Sequence, residues 1–298
     1  MNDNQMTIND EVLTWEASVE RIYEHLKTLK LLAMKRIAII FTALVFPFLL
    51  MGQTKKFEYT PKVKNKIEIS NLLGEISLQN SSGNAIVIES DFNLERPDRA
   101  AGLKLLGAME DNTELGVNVN EENGIVSIQG ATRQVRDYKY KILVPTGMAV
   151  NLDYGSPFAK EDVNVDSFTG SLEIKTLNAN VKITKSSGPF TVNTVSGDVE
   201  VVFDKISQNE PTSLASVSGL IDVTLPGTDK ANIEISTING NVFNNLDLKS
   251  TAKPVEKDQL AYGLSAIRTQ GGNSYTLNGG GQKVYLKSVS GNIYLRKR

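Results

Sequence analysis

The sequence predicts an all-β protein: a single-stranded β-helix, or β-solenoid, built on nine-residue strand–turn units and preceded by a signal or membrane helix. Three observations predict it. The triplets Val163-Asn164-Val165, Leu172-Glu173-Ile174, Val181-Lys182-Ile183, Phe190-Thr191-Val192 and Val199-Glu200-Val201 begin nine residues apart. Each reads apolar–polar–apolar, the alternation of a half-buried strand, and each is followed by small or polar turn residues. A glycine or small residue stands two positions before many triplets (Gly170, Ala179, Gly188, Gly197, Gly219, Gly240, Gly291), where a tight corner or a close backbone approach favours it. A short fixed period of this kind marks units that stack on one another.

The elements follow in chain order. Residues 1–33 form an N-terminal extension. Within it Val12, Trp15, Val19, Ile22, Leu26 and Leu29 recur at helical spacing, so they fit a cytoplasmic amphipathic helix, unless translation starts at Met34. Residues 34–52 read as a signal peptide or membrane anchor: Lys35 and Arg36 precede an apolar stretch from Ile37 to Met51, which is short for a spanning helix. Residues 53–298 form the β-solenoid domain, which both readings of the N-terminus place outside the cytoplasm.

The domain opens with Ile67-Glu68-Ile69, Ile76-Ser77-Leu78 and Ile86-Val87-Ile88. Segment 91–116 breaks the pattern, and Pro97 followed by Arg99 to Leu106 suggests a short helix or a decorated loop. Strands resume at Val117 to Val119 and Ile125 to Ile128. A longer pair, Tyr138 to Val144 and Met148 to Leu152, flanks a turn at Pro145-Thr146-Gly147. The five regular units come next. The outer positions of the run from Leu172 to Val201 are all aliphatic or Phe, and burying each such side chain is worth about 1.5–3 kcal/mol.

Beyond the run the beat returns with interruptions, at Thr212 and Ile221, at Ile233 and Val242, and at Tyr275, Val284 and Ile293. Residues 249–272 are a second, polar interruption. With two units per turn, Lys182 would neighbour Glu200; with three, Glu173 would stack on Glu200. The like-charge cost of the second arrangement favours two. The tail Arg296-Lys297-Arg298 reads as a guard against strand addition at an exposed edge.

The repeat Val195-Ser196-Gly197-Asp198-Val199, the segment Leu277-Asn278-Gly279-Gly280-Gly281 and the closing Val289-Ser290-Gly291-Asn292-Ile293-Tyr294-Leu295-Arg296-Lys297 resemble the bacterial "putative adhesin" family over residues 60–298. The resemblance implies an extracytoplasmic β-solenoid domain of unknown function. It brings no catalytic or ligand residues with it.

Composition narrows the chemistry. The 298 residues carry 32 basic and 34 acidic side chains, which leaves no electrostatic footprint for nucleic acid. There are no cysteines, so disulfides, thiol catalysis and a lipidated cysteine are excluded. The single histidine, His25, lies outside the β domain. Asp198, Glu200, Asp222 and Lys182 are the acid–base candidates on the repeats; the simpler reading is a corner residue and solvated strand faces. Asp162 and Asp166 lack an EF-hand glycine between them, and the repeats lack the glycine-rich calcium pattern. Gly279-Gly280-Gly281-Gln282-Lys283 lacks the Ser or Thr of a phosphate loop, and Asn278-Gly279 instead suggests a tight turn between strands.

No catalytic residue, metal ligand or cofactor is expected. The binding candidates are Tyr285 and Tyr294, central and outward in the last two triplets, where aromatic faces could stack on a sugar or a protein. The functional expectation is an exported, non-enzymatic surface protein, a putative adhesin or envelope scaffold, whose partner is a cell-surface or envelope polymer or protein. It would lie in the periplasm, on the cell surface or outside the cell. Loops 91–116 and 249–272 would add specificity. The alternatives are a membrane-anchored envelope sensor or scaffold and, third, a polysaccharide-active β-helix enzyme.

Overall fold

A computed structural model describes residues 23, 25–30, 54–93, 98–100, 103, 109–131, 138–251 and 273–298. The chain divides into two units, Met1–Gln53 and Thr54–Arg298. In the first, residues 25–30 are helical. The apolar segment 34–52 lies outside the described residues, and no helix among those described is long and apolar enough to cross a membrane.

The second unit is all-β. Its strands are β1 (Lys55–Tyr59), β2 (Lys66–Ser70), β3 (Glu75–Ser81), β4 (Ile86–Ser90), β5 (Val117–Glu122), β6 (Ile125–Gly130), β7 (Lys139–Pro145), β8 (Ala149–Tyr154), β9 (Val163–Asp166), β10 (Leu172–Thr176), β11 (Val181–Ser186), β12 (Phe190–Thr194), β13 (Val199–Phe203), β14 (Thr212–Ser216), β15 (Ile221–Leu225), β16 (Ala231–Thr237), β17 (Val242–Asn244), β18 (Leu248–Ser250), β19 (Asn273–Leu277), β20 (Gln282–Ser288) and β21 (Ile293–Lys297). They form two sheets. The first has ten strands in the order β1-β4-β7-β3-β9-β11-β13-β15-β21-β17. The second has eleven, in the order β18-β19-β16-β20-β14-β12-β10-β8-β2-β6-β5.

Each turn of the coil supplies one strand to each sheet. Along the stack the turns are β6–β7, β2–β3, β8–β9, β10–β11, β12–β13, β14–β15, β20–β21 and β16–β17, and neighbours are parallel in both sheets. In the regular region the register advances eighteen residues per turn, Leu172 opposite Phe190 and Val181 opposite Val199. Longer connections before β9 and β14 lengthen the step to twenty-two, as between Val150 and Leu172 or Val199 and Ile221.

Stacking follows chain order only in the middle. The first turn, β2–β3, slots between β6–β7 and β8–β9, and the last, β20–β21, slots between β14–β15 and β16–β17. Both chain ends of the coil are therefore held by two neighbours each. This corrects the reading of the tail as an edge guard. Arg296 and Lys297 sit in or beside an interior ladder, with Arg296 paired to Asp222, Lys297 to Asp247 and Arg298 to Asp204.

The inward positions make one continuous core. Leu172, Ile174, Val181, Ile183, Phe190, Val192, Val199 and Val201 are each at most 1% exposed. One corner of the coil is equally regular. Ala179, Gly197, Gly219, Gly291 and Gly240 follow one another along the stack, and a Cβ added to each of these glycines would lie 1.9–2.2 Å from the preceding residue's carbonyl oxygen. No side chain fits at these four positions, which is the physical reason for the recurring glycine. Beneath the corner a column of hydroxyls caps the bend. The N–H groups of Gly197, Gly219 and Gly291 donate to Thr194 Oγ1 (2.9 Å), Ser216 Oγ (2.7 Å) and Ser288 Oγ (2.8 Å).

Both expected turns form, closed by Met148 N–H donating to the Pro145 carbonyl (3.3 Å) and Gly280 N–H to the Leu277 carbonyl (3.1 Å), and each joins strands that are not neighbours in one sheet. Pro145-Thr146-Gly147 carries the chain from one sheet to the other, with Gly147 at φ 93°. Asn278-Gly279-Gly280 steps across the end of β16, because β19 and β20 flank that strand on either side. All three residues have positive φ, and Asn278 Nδ2 donates to the carbonyls of Gly227 and Asp229. Within segment 91–116 the described residues include a single 3-10 turn, Asp98–Ala100. The interruption 249–272 begins in β18, and 252–272 lie outside the described residues.

Candidate functional site

The outward positions of the ladders form two broad flat faces, and the predicted tyrosines fall on opposite ones. Tyr285 lies on β20 and Tyr294 on β21; the corner between these strands turns the chain from one sheet to the other. The structure therefore does not bring the two together.

Around Tyr285 the neighbours across the ladder are Ser213 and Glu234. Lys283 lies 5.5 Å over its ring and 3.2 Å from Glu234. Contacts with Tyr285 first, then Glu234, hold the Lys283 ammonium above its ordinary pKa. This tyrosine is embedded in ordinary cross-strand packing.

Tyr294 is more distinctive. Its register neighbours are Asp222 on β15 and Phe243 on β17. The Phe243 and Tyr294 rings stack with centroids 5.1 Å apart and planes 11° from parallel, while Arg296 covers the tyrosine at 5.4 Å. Arg296 grips Asp222 with two nitrogens, Nε and Nη2, at 2.8 Å each, and this pairing raises the guanidinium pKa. Asn292 Nδ2 donates to the Tyr294 hydroxyl at 3.2 Å. The result is a column running Arg296, Tyr294, Phe243, in which both tyrosine faces are occupied. Phe243 remains 50% exposed, at the end of its sheet.

Phe243 was missed as a candidate because its partner is far off in sequence. Its place at the centre of the triplet beginning at Val242 was legible. That Val242 pairs with Ile293, fifty-one positions on, was not.

The acid–base candidates do not converge. Asp198 is a corner residue that accepts the Leu220 N–H at 2.9 Å. Glu200 pairs with Lys182 and Asp222 with Arg296, all on a flat, solvent-facing ladder. Asp162 accepts from Asn180, whereas Asp166 accepts from Thr184 and Ser167; these hydroxyls, Thr184 foremost, depress the Asp166 pKa. Among the described residues no group of three His, Cys, Asp or Glu side chains is placed to hold a metal ion.

The chain is similar to several solved structures. One is a "putative cell adhesion protein" from Clostridium sporogenes, 12% identical, with 83% of this chain matched to 100% of that one at a TM-score of 0.42. Others are a "putative adhesin" from Bacteroides fragilis (13% identity, 83% and 97% covered, TM-score 0.37) and one from Parabacteroides merdae (9%, 83% and 97%, 0.29). A search of curated proteins gave no match. Residues 59–296 match the family model described as Toastrack DUF4097, and the chain belongs to that family.

Proposed function

We propose that the protein is an exported, non-enzymatic surface protein that attaches to a cell-surface or envelope polymer or protein by repeated contacts along its rungs. One observation carries this reading: the distinctive exposed chemistry is an aromatic and charged column on an outward-facing ladder, Arg296–Tyr294–Phe243. A rigid parallel ladder repeats each outward position about every 4.8 Å, a pitch suited to many weak contacts with a repetitive partner. The basic n-region and apolar stretch at 35–51 support export, and the near-neutral charge gives no reason to invoke nucleic acid. Segments 91–116 and 249–272 would tune specificity, though 252–272 and parts of 94–108 lie outside the described residues. Glycan arrays and whole-cell binding with the purified protein test the proposal; binding to neither a glycan nor a cell surface contradicts it.

A second reading, an envelope sensor or scaffold anchored through residues 34–52, is favoured by the helical residues 25–30. Intact mass separates the two. A mature species beginning at Gln53 removes the anchored form, and an uncleaved chain starting at Met1 supports it.

A further inference from the structure

The parallel stack has four ends, two per sheet, and three are capped by antiparallel strands. β5 covers β6, β4 and β1 cover β7, and β19 and β18 cover β16. The fourth end, β17, has no described strand beyond it. Its consequences are visible in the side chains. The paired inward positions of the other parallel strands in that sheet, from Tyr140 and Ile142 on β7 to Ile293 and Leu295 on β21, are at most 2% exposed. Val242 and Asn244 occupy the same register, opposite Ile293 and Leu295, yet Val242 is 41% exposed and Asn244 is exposed too.

The backbone and the outer face carry the same mark. Asn241 O accepts from Ile293 N–H, and Asn245 N–H donates to Leu295 O. By the alternation of a parallel ladder, Val242 and Asn244 direct their N–H and C=O groups away from β21, toward the side that no described strand covers. The aromatic column ends on that side too, at the half-exposed ring of Phe243. The other sheet edges are guarded by charge: Lys55, Lys56 and Glu58 on β1, Glu121 and Glu122 on β5, Lys249 on β18. β17 carries none.

The geometry points to β17 as an acceptor edge for strand addition, its occupant an extended peptide segment of another protein, with apolar residues at alternate positions and no charge facing Val242 or Phe243. Main-chain hydrogen bonds would supply affinity, and the uncovered Val242 and the open Phe243 face would supply selectivity. The opposite sheet selects a lone strand over a second copy of this chain. It projects two strands past β17, about 9.6 Å, with Tyr275 and Leu248 half-buried on it. A two-fold pairing of β17 with its copy in one continuous sheet would drive these overhangs into each other, whereas one or two added strands fit above the shelf. This proposal does not depend on attachment to a glycan.

The probe is a fluorescein-labelled peptide with the sequence of residues 84–91, which contains the cap β4 of the same sheet's other end. Its anisotropy is followed on titration with the purified protein. Saturable binding is expected, weakened at least tenfold by Phe243→Lys or Val242→Lys in the protein and by N-methylation of alternate amides in the peptide. Both protein positions are exposed, and an unchanged thermal midpoint verifies that the variants fold. No saturable binding up to about 1 mM, or binding indifferent to these changes, overturns the proposal. Hydrogen exchange at Val242 and Asn244 is the second measurement. Fast exchange in the free protein, slowed by the peptide, is expected; protection already present in the free protein means that the chain itself or a second copy covers the edge, and overturns it.

Discussion

Lys182 Nζ lies 3.2 Å from Glu200 Oε2, and the two residues, eighteen apart in sequence, are register partners on β11 and β13. The pair reports how the chain winds: one full turn in this region takes eighteen residues, one strand in each sheet. Both side chains are about half exposed, so their attraction is screened by water and salt.

Removing either partner is therefore expected to change little. Lys182→Ala and Glu200→Ala should each cost less than about 1 kcal/mol in urea unfolding. Glu200→Lys, which places a like charge beside Lys182, should cost more than Glu200→Ala, and the excess should shrink as salt is added.

The glycine corner should be far less tolerant. An added methyl on Gly219 would meet the Gly197 carbonyl oxygen at 1.9 Å, and backbone on both sides of the corner has to move to relieve it. Gly219→Ala is expected to destabilise by about 3 kcal/mol, within the range of a backbone clash in a packed interior. Gly83→Ala, with nothing within 4 Å, serves as the control and should stay within about 0.5 kcal/mol of the parent.

Alkaline pH should expose a different dependence. Tyr154 is buried, and its hydroxyl donates to the Gly74 carbonyl at 2.6 Å. Burial, the largest cause, raises its pKa from 10.0 to about 12. Burial raises Tyr140 further still. The folded state thus keeps these protons longer than the unfolded chain does. The associated stability is complete below pH 10 and is lost as pH climbs through the folded value, for Tyr154 by about 2–3 kcal/mol. Chemical denaturation between pH 9 and pH 12 checks this. Tyr154→Phe, less stable at neutral pH because Gly74 loses its donor, should show a shallower alkaline decline.

The aromatic column separates binding from folding. Phe243→Ala and Tyr294→Ala should cost at most about 1–2 kcal/mol of stability, the stacking contribution plus partial burial. If the column carries attachment, each should lower glycan or cell-surface binding at least tenfold, while Tyr285→Ala on the opposite face leaves it unchanged.

Much of the fold was legible from local pattern. Alternation identified the inward residues from Leu172 to Val201, and the recurring glycine marked the corners, because each recurs with the period of the coil even though the carbonyl that demands glycine belongs to the neighbouring turn. What was not legible depends on pairings distant in sequence. Nothing near Ile221 signals that its neighbour is Ile293, seventy-two residues on, rather than the next unit. The tail's charges accordingly suggested an edge, and the outward placing of Tyr285 and Tyr294 did not reveal which strands flank each of them. Phe243 was inconspicuous for the same reason: its significance arises only when β21 is inserted beside it.

That insertion is the centre of the account, and a disulfide pair tests it most directly in a chain with no native cysteine. Asp222 and Tyr294 are register partners on adjacent strands, whereas Asp222 and Phe243 are separated by β21, about 9.6 Å apart and beyond the reach of a disulfide. Oxidation of the double variants, followed by mass spectrometry of the digested chain, should give an intramolecular bond for Asp222→Cys with Tyr294→Cys and none for Asp222→Cys with Phe243→Cys. A bond in the second pair and not in the first would mean that the turns stack in chain order, contrary to the architecture described.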